Sequence, residues 1–144
     1  MKLLVRHAQH ADAAAVAALL PDLGYSATAE EVARRLEHLW QWPDQVIWVA
    51  ERAGVLLGLC HLQGVPLLAS DGYAEVQALV VAQAAQRSGV GTALLRQARE
   101  WAREKGYARL RLRSGVHREE AHRFYEAVGF TRLRASYAFE CREA

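Results

Sequence analysis

The stretch Gln86-Arg87-Ser88-Gly89-Val90-Gly91-Thr92 constrains the fold of this chain more than any other. It follows an apolar run, Val76-Gln77-Ala78-Leu79-Val80-Val81, and opens an amphipathic run from Val90 to Lys105. That order predicts a strand, a glycine turn and a helix. A helix N-terminus presents unpaired backbone N–H groups and the positive end of a dipole. Glycine lets such a backbone come close to an anion. The stretch therefore predicts a phosphate-bearing ligand held by residues 86–92.

The flanking patterns supply the other elements. Lys2–Arg6 reads as a short strand and Asp12–Leu20 as an Ala-rich helix ending before Pro21. Thr28 and Glu31 form a capping-box signature at the start of a second helix, which runs to about Trp40. Val46–Ala50 and Val55–Leu62, joined across Arg52-Ala53-Gly54, predict an antiparallel pair, with Gly58 marking a bend. Tyr73–Val81 is the strand before the glycine turn. In Val90–Lys105, Val90, Leu94, Ala98 and Ala102 recur at spacing four, as on one face of a helix, and Gly106 suits its stop. Tyr107–Arg113 alternates, with Leu110 and Leu112 on one face and Arg109, Arg111 and Arg113 on the other. A helix from Arg118 to Val128 and closing strands at Phe130–Arg132 and Ser136–Cys141 complete the order β α α β β β α β α β β. That order implies an α/β (α+β) fold with a mixed sheet.

At 144 residues, 52% of them hydrophobic, the chain is expected to be a single domain, residues 1–144. The net charge of +2 is spread over interleaved acids and bases, which argues against a nucleic-acid partner. No 18-residue apolar run suggests a membrane span, and no long apolar leader is evident at the N-terminus. Cys60 and Cys141 lie far apart, outside any C-x-x-C pair, and are expected to be reduced, buried thiols of a cytoplasmic protein.

Several phosphate-loop chemistries compete for residues 86–92. A Walker A loop requires Lys-Ser/Thr after its last glycine, where this chain has Thr92-Ala93. A dinucleotide fingerprint requires a third small residue where Leu94 stands. A Q/R-x-x-G-x-G/A loop for the pyrophosphate of coenzyme A fits Gln86, Gly89 and Gly91, as does an ordinary strand-to-helix turn. The flanks add to this. Leu79-Val80-Val81 with Gln86 to Leu95, followed by Ala121-His122-Arg123-Phe124-Tyr125-Glu126-Ala127-Val128-Gly129-Phe130, resembles the GNAT superfamily of acyl-CoA-dependent N-acetyltransferases. The second block matches that family's A-x-x-F-Y-x-x-x-G-F signature at every defined position, and the element order agrees over nearly the whole chain. Gln83 stands where the family often has Pro, Gln86 where it often has Arg, and Arg118 where many members have Asn.

The resemblance implies a mostly antiparallel central sheet flanked by about four helices. It also implies acetyl-CoA as co-substrate, with no metal. Its carrier residues would be Leu79, Val80 and Val81, then Gln86, Arg87, Ser88, Gly89, Val90, Gly91 and Thr92, with Arg118 and Phe124. Tyr125 is implied as the acid that protonates the departing thiolate, since a phenol with a pKa of about 10 keeps its proton at neutral pH. Glu75 is implied as the base for the amine, directly or through a water. Backbone N–H groups of residues 79–81, freed by a splay of the strand, would stabilise the carbonyl oxygen. Tyr25, Trp40 and Trp42 are implied to wall the acceptor site. Asp44, Asp71 and Glu30 are acidic candidates for guiding a cationic amine.

The expected function is N-acetylation of a small-molecule primary amine by direct attack in a ternary complex, with a homodimer as candidate assembly. The alternative is a non-catalytic acyl-CoA-binding sensor or regulatory module. Ser114, His117, His122, Glu119 and Glu120 lie close together, but without a G-x-S-x-G elbow or metal-ligand spacing they support neither a serine hydrolase nor a metal centre.

Overall fold

A computed structural model describes residues 2–143 and divides the chain into two compact units, Met1–Leu112 and Arg113–Ala144. In the first unit the strands are β1 (Leu4–His7), β2 (Gln45–Arg52), β3 (Val55–Val65), β4 (Tyr73–Val81) and β5 (Leu110–Leu112). Its helices are α1 (Ala13–Leu19), α2 (Ala29–Leu39) and α3 (Val90–Glu104). The second unit carries α4 (Glu119–Ala127). The five strands form one sheet in the order β1-β2-β3-β4-β5. All neighbours are antiparallel except β4 and β5, which run parallel. This is the mixed sheet that the element order implies, mostly antiparallel and with four helices as the family resemblance implies.

Local chemistry sets the element boundaries. Ala53 and Gly54, both at positive φ, make the two-residue turn that registers Arg52 against Val55. At the start of α2 the Thr28 N–H donates to Glu31 Oε1 (2.9 Å) and the Glu31 N–H donates to Thr28 Oγ1 (3.1 Å). Arg6 donates to both carboxylate oxygens of Asp12 and to Glu51, tying β1 to the turn before α1 and to β2. Asp12 also accepts from the Gln9 N–H, and its hydrogen bonds with Arg6 hold its carboxyl below the ordinary aspartate value.

The sheet is covered on both faces. Ile47, Val49, Leu59 and Val80 pack with Val16, Leu19, Val32 and Leu36 of α1 and α2. On the other face Trp48 meets Trp101 of α3 edge-on, and Val90 and Leu94 close over Gly58. Gly58 is therefore a point of close helix approach as well as a neighbour of the irregularity where β3 pairs with Ala50 and Glu51. A Cβ there would lie 2.8 Å from Val90 Cγ1 and 3.0 Å from Leu94 Cδ1.

Three expectations are corrected. The strand proposed over Tyr107–Arg113 is ordered as strand only at Leu110–Leu112. Tyr107 instead stacks on Trp101, lies against Gly64 and donates its hydroxyl to Asp44. Among the described residues no strand follows Leu112, so Phe130–Arg132 and Ser136–Cys141 are not closing strands. Alternation alone makes no strand where no neighbouring backbone takes up the hydrogen bonds, and Tyr137 and Phe139 are 91% and 95% exposed. Cys60 is buried as expected, but Cys141 is exposed because its segment packs into no sheet.

Candidate functional site

The glycine stretch has the geometry of an anion cradle. A short 3₁₀ turn, Gln83–Ala85, leads from β4 into an extended Gln86. Arg87 (φ +63°) and Gly89 (φ +88°) are both left-handed. Such reversals turn successive N–H groups toward a common concavity. The Ser88 hydroxyl donates to the Ala85 carbonyl and pins the loop from within. Gly89 is the N-cap of α3, and no side-chain cap covers the helix start. The first-turn N–H groups thus keep the capacity to bind an outside acceptor. Residues 86–89 are exposed, whereas Val90 is buried against Gly58. The loop is open on one side and anchored on the other.

The neighbouring strand, β4, is paired on both sides only over part of its length. β4 pairs with β3 as far as Val81, opposite Gly58, but its ladder to β5 ends at Val76 opposite Leu112. Among the described residues, 77–81 therefore have a strand on one side only. Gln77 is the extra residue where the β3–β4 register shifts between His61 and Leu62. Leu79, Val80 and Val81 remain in register with Cys60, Leu59 and Gly58 of β3 and lie beyond the end of the β4–β5 ladder.

Glu75 lies on the same sheet face as Gln63 and Arg111, its partners in register on β3 and β5. It accepts a hydrogen bond from Gln77 Nε2 at 3.0 Å. Two features of this face were missed in the sequence. His61 is in hydrogen-bond contact with Gln45 Oε1 at 2.7 Å, and burial lowers its pKa. Arg111 and Arg109 both lie over the ring of Tyr73, at 4.5 Å and 5.7 Å from its centroid. The alternation of arginines in residues 109–113 was visible, but only strand register shows that two of them share Tyr73.

The second unit is described by itself. Arg118 is the exposed N-cap of α4 and makes no side-chain capping bond. Phe124 and Tyr125 have ring centroids 5.5 Å apart, and Tyr125 meets Phe130 edge-on at 6.1 Å. Gly129 (φ +106°) lets the Phe130 N–H return to the Tyr125 carbonyl, closing the helix. A His122 ring nitrogen, Nε2, lies 2.8 Å from the Gly115 carbonyl oxygen. That contact requires a proton on Nε2.

The aromatic acceptor candidates flank α2: Tyr25 precedes it, and Trp40 and Trp42 follow it. All three are exposed, and Trp42 Nε1 donates to His38 Nε2. Asp44, considered as a guide for cations, is occupied by the Tyr107 hydroxyl (2.7 Å) and Lys105 (3.8 Å).

A profile of the acetyltransferase (GNAT) family matches residues 13–130. The chain belongs to the GNAT family. It is 27% identical over 114 residues to YhdJ, an uncharacterized N-acetyltransferase of Bacillus subtilis (strain 168), covering 78% of this chain and 80% of that protein. Its fold is shared with a transcriptional regulator from Bacillus halodurans C-125 (TM-score 0.87, 21% identity, 97% and 100% of the two chains covered). It is shared as well with the aminoglycoside 6'-N-acetyltransferase AAC(6')-Ih of Acinetobacter baumannii (TM-score 0.85, 14% identity, 99% and 100% covered). As a GNAT enzyme the protein is an acetyltransferase, and acetyl-CoA is the co-substrate of its family. The uncapped α3 start, the left-handed residues 87 and 89 and the one-sided β4 edge fit that group. Among the described residues no helix is long and apolar enough to cross a membrane, and no group of His, Cys, Asp and Glu is arranged to hold a metal.

Proposed function

We propose that this GNAT enzyme transfers an acetyl group from acetyl-CoA to the primary amine of a small molecule, by direct attack in a ternary complex. The observation that carries the reading is the uncapped N-terminus of α3, set behind an exposed left-handed loop within the family-matched residues. In this reading residues 86–92 hold the pyrophosphate of the donor, with Arg118 and Phe124 as further contacts. Backbone N–H groups of Leu79, Val80 and Val81 hold the pantetheine arm and the carbonyl oxygen. When bound, acetyl-CoA supplies the acyl group as a thioester. Glu75 takes the proton the amine must lose before it attacks, directly or through water. Tyr125 gives its phenolic proton to the sulfur as the carbon–sulfur bond breaks. Tyr25, Trp40 and Trp42 contact the acceptor from separate positions. The family match runs through both compact units, which supports a single catalytic domain spanning residues 1–144. The enzyme is proposed to work in the cytoplasm on a soluble amine, with a homodimer as its candidate assembly.

Thiol release from acetyl-CoA across a panel of primary amines tests the function. Tyr125→Phe is expected to lower kcat at least about tenfold while leaving acetyl-CoA affinity within about threefold. An unchanged kcat would remove the acid role. Tight acetyl-CoA binding with no amine-dependent thiol release would favour a regulatory acyl-CoA-binding module, the function class suggested by the regulator that shares the fold.

A further inference from the structure

Arg111 presents a cation without an anion. Its side chain is half-buried on β5, over the ring of the buried Tyr73. Among the described residues it makes no hydrogen bond or ion pair. A guanidinium stacked on an aromatic face still has five N–H donors in its own plane. Arg109, over the same ring, is already engaged by Ser70 Oγ and the Gly72 carbonyl, each at 3.3 Å, so it adds positive charge more than free donors. Glu75 is in register with Arg111 on the same face, yet its carboxylate accepts from Gln77 and does not pair with Arg111. A carboxylate and a guanidinium thus stand side by side on neighbouring strands, each turned to other company.

We propose that Arg111, supported by Arg109 and Tyr73, binds an anionic group of the acceptor, a carboxylate or a phosphate, while its amine lies against Glu75. The inference rests on the acetyltransferase reading and narrows it: the acceptor is a small molecule carrying an anion within a few bonds of its amine. A fork of donors on a rigid aromatic support is the geometry that recognises such planar or tetrahedral oxyanions.

Three amines of similar size separate the cases: glycine, O-phosphoethanolamine and ethanolamine. At least one of the first two should exceed ethanolamine about tenfold or more in kcat/KM, the scale of one charge-assisted contact. That preference should vanish in Arg111→Gln, mainly through KM, and return in part in Arg111→Lys. Which of the two is preferred distinguishes carboxylate from phosphate. Inorganic phosphate and acetate are titrated in parallel into the wild type and Arg111→Gln, with acetyl-CoA binding as a check on folding. Equal use of all three amines, or a preference unaffected by Arg111→Gln, would overturn the proposal while leaving the acetyltransferase reading intact. If none of the amines is used, anion binding decides. Arg111-dependent binding of either ion supports the site, and binding of neither overturns it. Failure to bind acetyl-CoA in the wild type would sink the broader reading instead.

Discussion

Gly58→Ala tests the link between sheet packing and the proposed donor loop. The added Cβ would sit 2.8 Å from Val90 Cγ1, 3.0 Å from Leu94 Cδ1 and 3.1 Å from the Val80 carbonyl oxygen. Comfortable carbon contacts need about 3.5–4.0 Å, so α3 must move away by roughly 0.5–1 Å or Val90 must leave its rotamer. Valine is stiff at χ1, and the Val80 oxygen belongs to the backbone of β4. Without the clash, alanine in a strand would gain about 0.5–1 kcal/mol over glycine. With it, overpacking should leave a net loss of about 1–3 kcal/mol, a fall in Tm of several degrees. Val90 is the first residue of α3, so the movement begins in the proposed cradle. Acetyl-CoA affinity should therefore fall about tenfold, and more than the affinity for a free amine acceptor. Denaturant unfolding and calorimetric titration measure the two quantities. Pairing with Val90→Ala removes the clashing methyl, and the double variant should be at least about 1 kcal/mol more stable than the sum of the single losses. Additive losses, or a Gly58→Ala protein with wild-type stability and affinity, would refute the argument.

Glu75→Gln should abolish the acidic limb of the kcat/KM profile if the wild type shows one, and matching profiles would remove the base role. Asp12 has its pKa lowered from 3.8, chiefly by its hydrogen bonds with Arg6, so its contribution is complete above 3.8 and lost as pH falls through the lower folded value. Asp12→Asn should accordingly cost about 2 kcal/mol at neutral pH, with the gap to wild type closing below the ordinary aspartate value in acid denaturation curves. Burial pushes the Cys60 thiol up to about 12, whereas Cys141 is exposed. A disulfide reagent at pH 8 should modify one thiol in the native protein and two in denaturant, and rapid labelling of both in the native state would contradict the packing of β3.

Local chemistry was legible directly. The Thr28–Glu31 box, the Ala53-Gly54 turn, the face of α3 and the glycine stretch are each decided by residues a few positions apart. The closing strands were misjudged because Ser136–Cys141 has strand-like alternation but needs a partner that no local pattern names. Asp44 was considered as a guide for a cationic amine, and nothing nearby in sequence announces its contact with Tyr107, 63 residues on. Separation in sequence also hid His61 against Gln45, 16 residues apart, and Arg111 against Tyr73.

By itself the sequence determined the elements proposed to hold the donor: strand, glycine turn and helix start are contiguous, and the chemistry of a helix N-terminus comes from its own backbone. The tertiary structure alone decided the rest. It set α3 against Gly58, ended the β4–β5 ladder at Val76, and brought Glu75 into register with Arg111. The physical reason is that side chains on one sheet face become neighbours through strand pairing, and pairing joins residues that the chain keeps far apart.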